Sequence, residues 1–289
     1  MALPEVLVVG DVMLDVSVEA PVLARGGDVH GSVLVGPGGA GANAAVWAAR
    51  SAPKVRLLGR VGDDVPARIV REALDARGVE AHLATDPEAG TGSMLVVSEG
   101  GERSMVSDPG ANARLRPDDL PAQLDAGCVL VSGYLLFRRG SEPAARAALD
   151  RARAKRIAVD AASWPLLEEY GAERFVETVS PADLVLANES EAEVLTGARG
   201  EAAARRLGDT FPAAVLKLGA GGAVAVEAGE LLRIAADPDE AVDVTGAGDA
   251  FDGELIAALA TGTSLEEAVA RACAAGAKAV GNEGAWPLP

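Results

Sequence analysis

Aromatic residues are scarce in this chain, with three Trp, two Tyr and four Phe among 289 residues, so its core must be built mostly from Val, Leu and Ala. Cysteine is scarcer still. Cys128 and Cys273 stand far apart in apolar runs with no Cys-x-x-Cys spacing, which excludes a disulfide framework and a zinc site and makes both core candidates. Two histidines, His30 and His82, cannot build a His-rich metal site. Basic charge is in deficit. With 26 Lys and Arg against 43 Asp and Glu, the net charge is −17, which argues against nucleic acid or an anionic membrane as partner. The surplus reads as a solvated acidic surface and does not exclude a phosphorylated small ligand, which responds to local donors and metal ions. No stretch reaches the ~18 apolar residues of a membrane span, and the first five residues carry no basic or signal-like segment, so a cytoplasmic location is expected. A Walker A sequence is also missing, so any nucleotide must be held by another route.

What is present is an apolar chain, 49% hydrophobic, long enough for one large α/β domain with a small appendage. Strands are expected at 5–10, 55–58, 128–132, 156–160, 184–186 and 213–218, with a hairpin at 223–234. Helices are expected after Asn43 to about Arg50 and at 65–77, 142–154, 172–179, 190–196 and 265–280. This alternation predicts a mostly parallel sheet flanked by helices. Shorter alternating segments, near 15–19 and 31–35 and in a hairpin of 93–98 with 102–107, pair in this reading into a small sheet serving as a lid. Ligands in open α/β sheets bind beyond the carboxyl ends of the strands, which makes Gly10-Asp11, Ser132-Gly133, Asp160 and Asn188 candidates.

The most informative stretch is Asp243-Val-Thr-Gly-Ala-Gly-Asp-Ala-Phe-Asp-Gly253. Gly246 and Gly248 stand where a loop turns into a helix whose Ala250, Phe251, Leu255, Ile256 and Leu259 are expected on one side. Converging backbone N–H groups and the positive end of the helix dipole make an anion site there, for a phosphoryl group in transit. Asp249 stands beside it, ready to take a proton from an attacking hydroxyl, and the helix terminus favours its ionised form. Asn188 and Glu191 open another helix directly after a strand, where a carboxylate can hold a hydrated magnesium ion near phosphates; the alternative is an ordinary acidic helix cap. Gly36-Pro-Gly-Gly-Ala-Gly-Ala-Asn43 satisfies G-x-G-x-x-G, a weak match in this position because it follows a lid segment and Pro37 removes an N–H. A close, side-chain-free approach of backbone to a polar ligand, with Asn43 as donor and acceptor, is the better reading; a structural turn is the other.

Both glycine clusters, in this order and spacing, resemble the two signatures of the PfkB carbohydrate kinase family, the ribokinase-like kinases. The resemblance covers nearly the whole chain. It also includes Gly10-Asp11 with Asp15, Gly59-Arg-Val-Gly-Asp63, Pro109-Gly-Ala-Asn112, Asn188-x-x-Glu191, and Leu218-Gly219 with Gly222. It implies a single ribokinase-like domain over 1–289, with lid segments at about 12–35 and 90–110. It implies transfer from ATP, with magnesium, to a hydroxyl of a sugar or nucleoside, and potassium in several members. By resemblance Asp249 is the base, and Gly246, Ala247 and Gly248 form the anion hole. Asp11, Asp15, Gly39, Asn43 and Asn112 contact the acceptor; Asn188, Glu191, Lys217, Gly219 and Gly222 border the nucleotide. Glu191 serves magnesium, while Asp243 and Thr245 match a monovalent-cation site. Lid pairing between subunits implies a homodimer.

Departures from the pattern matter. Ala40 stands where members that use ribose usually carry Lys, which puts ribose itself in question. Asp252, where Asn is frequent, reads as solvated on its helix or as a ligand of a substrate hydroxyl. Asp160-Ala-Ala-Ser163 replaces an Asn-Pro or Asp-Pro, and Tyr134 reads as core or as a platform for a ring. Two other classes compete. A dinucleotide-dependent oxidoreductase rests only on the first glycine cluster and leaves Asp249 unexplained. A silent ligand-binding protein would be expected to have lost Asp249.

Overall fold

The computed structural model describes residues 5–22, 24, 26–99, 102–236, 245–281 and 284–287. The chain runs β1 (Glu5–Val9), β2 (Met13–Ala20), β3 (Ser32–Gly38), α1 (Ala40–Ala48), β4 (Lys54–Gly62), α2 (Val65–Asp75) and β5 (Val79–Asp86). It continues through β6 (Gly92–Glu99), β7 (Glu102–Asp108), β8 (Leu124–Asp125), β9 (Cys128–Ser132), α3 (Glu142–Arg151), β10 (Ala152–Arg153) and β11 (Arg156–Asp160). Then come α4 (Trp164–Tyr170), α5 (Ala172–Thr178), β12 (Leu184–Asn188), α6 (Glu189–Thr196), α7 (Gly200–Thr210) and β13 (Ala213–Lys217). The hairpin β14 (Ala223–Glu227) and β15 (Glu230–Ile234) precedes α8 (Ala247–Thr261) and α9 (Leu265–Val280).

The large sheet has the order β15-β14-β13-β12-β11-β9-β1-β4-β5. It is parallel from β5 to β13 and closes with two antiparallel pairs at β13–β14 and β14–β15. β1 is buried throughout because both faces of the sheet are covered. Val6 and Val8 join a core with α1, α2, α8 and α9, and Leu7 and Val9 join the opposite core with α3 to α7. Cys128 and Cys273 are buried free thiols. A second sheet, β3-β2-β6-β7, is made by the two separated segments expected to form it.

Several local expectations are corrected. β5 carries no clear strand signal, because Val79-Glu-Ala-His-Leu-Ala-Thr-Asp86 buries only a minority of its positions at the sheet edge. α4 and α7 are also additions to the expected elements; α4 has only seven residues, and α7 opens at Gly200, whose φ is 57°. The strand expected at 55–58 extends over Lys54–Gly62, and buried Arg60 is tolerated inside it by pairing with Asp86 (2.9 Å) and Asp119 (2.7 Å). α3 stops at Arg151, where the chain turns extended into β10. α8 does not bury one side only. Its residues from Ala250 to Ala260 are all buried, because the sheet, α1 and α9 surround it.

Candidate active site

α8 begins at Gly246, whose φ of 74° suits glycine, and no side chain caps it. Its first helical hydrogen bond runs from Ala250 N to Gly246 O (2.8 Å), so the N–H groups of Ala247, Gly248 and Asp249 precede the ladder. That is an open donor set at the positive end of a helix. The Asp249 side chain accepts a hydrogen bond from Asn43 Nδ2 at 2.7 Å. Asn43 sits on α1, and α1 crosses α8 closely at Gly253, where a Cβ would lie 2.4 Å from the Ala44 carbonyl oxygen. Burial pushes the Asp249 carboxyl up to about 7; Asn43 opposes the shift, and Asp160 and Asp11 add to it. Desolvation therefore outweighs the helix terminus, which by itself would favour the ionised form.

A cavity of about 470 Å³ opens at this point. Asp11, Asp15, Gly39, Asn43, Asn112, Thr245, Gly246 and Asp249, all named from the sequence, line it. Their side chains are not equally available. The Asp11 carboxylate accepts from Ala40 N (2.9 Å) at the start of α1 and from Ser132 Oγ (3.0 Å). The Asn112 amide is tied to Val12, accepting from its N–H (2.9 Å) and donating to its carbonyl (2.8 Å). Asp15 differs. Its Oδ1 is buried without a hydrogen-bond partner, and desolvation, then Asp11, pushes its pKa up to about 6.

Sequence reasoning misses part of the wall. Met94, Val96, Met105 and Ser107 come from the small sheet, which thereby forms one side of the cavity, and Arg138 is the one cation among the lining residues. Only topology brings these to the site. Tyr134 lines the cavity at 37% exposure, so it is not a core residue. The first glycine cluster ends β3, a strand of the small sheet, and so lacks the βαβ setting a dinucleotide fingerprint needs.

The residues expected to border a nucleotide do not line this cavity. They gather beside it along the carboxyl ends of β12 and β13, where Asn188 and Lys217 are register partners. Lys217 Nζ pairs with Asp160 (2.9 Å) and Asp252 (3.0 Å), and Asp160 also lines the cavity. Asp252 is 2% exposed, so it is not solvated; it is a buried partner of Lys217. Burial alone would lower the Lys217 ammonium, but the carboxylates around it, Asp160 first, hold it well above the usual lysine range. Glu191 forms a capping box with Asn188, accepting from its N–H (2.8 Å) and its Nδ2 (2.6 Å). Burial, then Asp160, raises it to about 7. Gly219 (φ 55°) and Gly222 (φ 85°) frame the turn between β13 and β14. Thr245 lies in the cavity wall, and Asp243 falls outside the described residues.

The uncapped helix terminus fits a phosphate. Magnesium fits less directly: no group of three His, Cys, Asp or Glu that could hold a metal occurs among the described residues, and both Glu191 oxygens are already engaged. No helix among the described residues is long and apolar enough to cross a membrane.

Against known proteins, a model described as pfkB family carbohydrate kinase matches residues 3–289. A ribokinase of Mus musculus is 32% identical over 302 residues, covering 98% of this chain and 91% of that protein. The structure of an adenosine kinase from Sinorhizobium meliloti superposes with a TM-score of 0.88 at 25% identity, covering 99% of this chain and 96% of that one. A fructokinase double mutant from Vibrio cholerae O395, with fructose, ADP and potassium ion bound, superposes with a TM-score of 0.81 at 27% identity, covering 98% and 94%.

Proposed function

This chain belongs to the pfkB family of carbohydrate kinases, phosphotransferases with a hydroxyl acceptor, and on that premise we propose that it phosphorylates a hydroxyl of a sugar or sugar-like molecule from ATP. The observation that carries the reading is the position of Asp249. One carboxyl group stands both at the uncapped start of α8 and in the wall of the cavity.

Asp249 takes the hydroxyl proton as the acceptor attacks. The N–H groups of Gly246, Ala247 and Gly248 receive the negative charge, each aimed donor worth about 2.7–4 kcal/mol by analogy with oxyanion holes. Holding the hydroxyl against the phosphorus supplies on the order of 7–11 kcal/mol more. Asp15 offers the acceptor an unpaired carboxylate oxygen, and Asn43 and Gly39 border the same space. Asp11 and Asn112 act at one remove, by fixing the start of α1 and the Val12 backbone. The small sheet excludes water and so limits ATP hydrolysis.

ATP would supply the phosphoryl group, and magnesium bound to it would offset the phosphate charge. Lys217, Asn188, Glu191, Gly219 and Gly222 border the nucleotide from the strand ends, and no step is assigned to a metal held by protein alone. Thr245, with Asp243, is the proposed place for potassium. A nucleoside acceptor is the second reading, favoured by Tyr134, whose partly exposed ring can stack on a base. An ADP-release assay over pentoses, hexoses, sugar acids, sugar phosphates and nucleosides, with ATP and magnesium with and without potassium, tests both. Strong turnover of a free sugar supports the first reading and of a nucleoside the second; no turnover on any of them contradicts both.

A further inference from the structure

The segment 284–287 is far in sequence from every element of the site, yet it lies against the catalytic loop. Ala285 Cα is 2.7 Å from the place a Cβ on Gly246 would occupy, so only glycine lets the two backbones approach this closely. Trp47 on α1 donates its indole N–H to the Ala285 carbonyl at 2.9 Å. Arg77, just past α2, donates to the Pro287 carbonyl (2.7 Å) and places its guanidinium over the Trp286 ring, 5.5 Å from the centroid. Between these anchors Trp286 Nε1 donates to Asn43 Oδ1 at 2.7 Å, across 243 positions of sequence. Asn43 Nδ2 in turn donates to Asp249 Oδ2 at 2.7 Å.

We propose that Trp286 is a positioning residue for the base: its indole N–H fixes which way the Asn43 amide faces, and thereby the hydrogen bond that Asp249 receives. An indole nitrogen can only donate, so the Asn43 atom it meets must be the carbonyl oxygen. The amide nitrogen is then turned toward Asp249, where its N–H stabilises the carboxylate form. Turned over, the amide would present its oxygen to Asp249 and favour the protonated acid, which cannot accept a proton. The other charged or titratable groups facing Asp249 are Asp11, Asp160, Lys217, Asp252 and Tyr134, and all of them remain when Trp286 is changed. The inference rests on Asp249 being the base, but its geometry can be tested without an acceptor.

Trp286→Phe keeps a ring beneath Arg77 and removes the N–H. Carbon-13 NMR of aspartate-labelled protein follows the Asp249 carboxyl, recognised as the resonance that Asp249→Asn removes. The expected result is a titration midpoint raised on the order of half a pH unit in Trp286→Phe. Adding Trp286→Phe to Asn43→Ala should then produce no further shift, because the effect travels through Asn43. On an active acceptor, kcat at pH 7 should fall about twofold, because a half-unit rise of a midpoint near 7 halves the ionised fraction there. It should recover at higher pH, with KM for ATP within about twofold. Should Trp286→Phe not fold, Trp47→Phe frees the Ala285 carbonyl with Trp286 in place and should shift the midpoint the same way by less. An unmoved midpoint, or the same shift with and without Asn43, overturns the proposal. Full turnover in Asp249→Asn would instead overturn the assignment of the base and leave the titration result standing.

Discussion

The two sides of the α8 terminus treat charge in opposite ways. On the cavity side, Asp15 keeps a buried oxygen without a partner and Asp249 receives one hydrogen bond, from Asn43. Across Asp160, at the ends of β12 and β13, the ionisable groups are matched in hydrogen bonds, though not in charge: Lys217 is held between Asp160 and Asp252, and Glu191 has both oxygens on Asn188. An uncompensated carboxylate costs free energy in the empty protein and is worth keeping where a ligand hydroxyl will complete it. A matched cluster is architecture, and it fixes the strand ends against α8. Loss of a charge should therefore damage function on one side and folding on the other.

Lys217→Met should break the matched side most severely, destabilising the protein by about 3–5 kcal/mol because buried Asp252 and half-buried Asp160 lose their cation; a denaturation midpoint like that of the wild type would remove the distinction. Gly248→Ala should do the reverse. A Cβ there meets only Lys217 Nζ, at 3.7 Å, so melting should be unchanged. Turnover should fall, because alanine keeps its N–H but adds a methyl that crowds the phosphoryl group at the start of α8. Asp15→Asn should raise the acceptor KM about tenfold or more, one hydrogen bond to a charged group, and should not lower the melting temperature.

The pH profile sharpens the same contrast. A base must act in its ionised form, so with Asp249 in that proposed role turnover should rise with pH through about 7. Its folded-state pKa lies above the ordinary value of 3.8, so its contribution to stability is full below that value and is lost as pH rises through 7. Asp249→Asn should accordingly raise the melting temperature at pH 8 and leave it unchanged at pH 4. The smallest expected effect concerns assembly. The outer strands of the small sheet expose Val33, Leu34, Val35, Met105 and Val106, which suits pairing between lids. If a homodimer forms through those outer strands, a charged substitution such as Leu34→Lys should halve the mass seen by light scattering.

How far the sequence reached follows from how far apart the partners stand. The turn at Gly246 and the placing of Asp249 at the helix start were legible because loop, helix start and carboxylate are contiguous. The capping box of Asn188 and Glu191 was legible for the same reason. The role of Asp252 was not, since its partner Lys217 lies 35 positions away on another element. Likewise the hydrogen bonds of the Asn112 amide to Val12, 100 positions away, were not legible, nor was the choice between core and cavity wall for Tyr134. Periodicity also gave α8 one apolar side, whereas burial on all sides comes only from its neighbours α1 and α9.

The most direct test of the account is ADP release by the wild type and Asp249→Asn on the best acceptor of the panel, with ATP binding measured alongside. The account predicts that Asn lowers kcat by a factor on the order of 100–10,000, as for loss of a general base, and leaves ATP affinity within about twofold. A mutant retaining half its turnover would contradict the central claim that Asp249 takes the acceptor's proton.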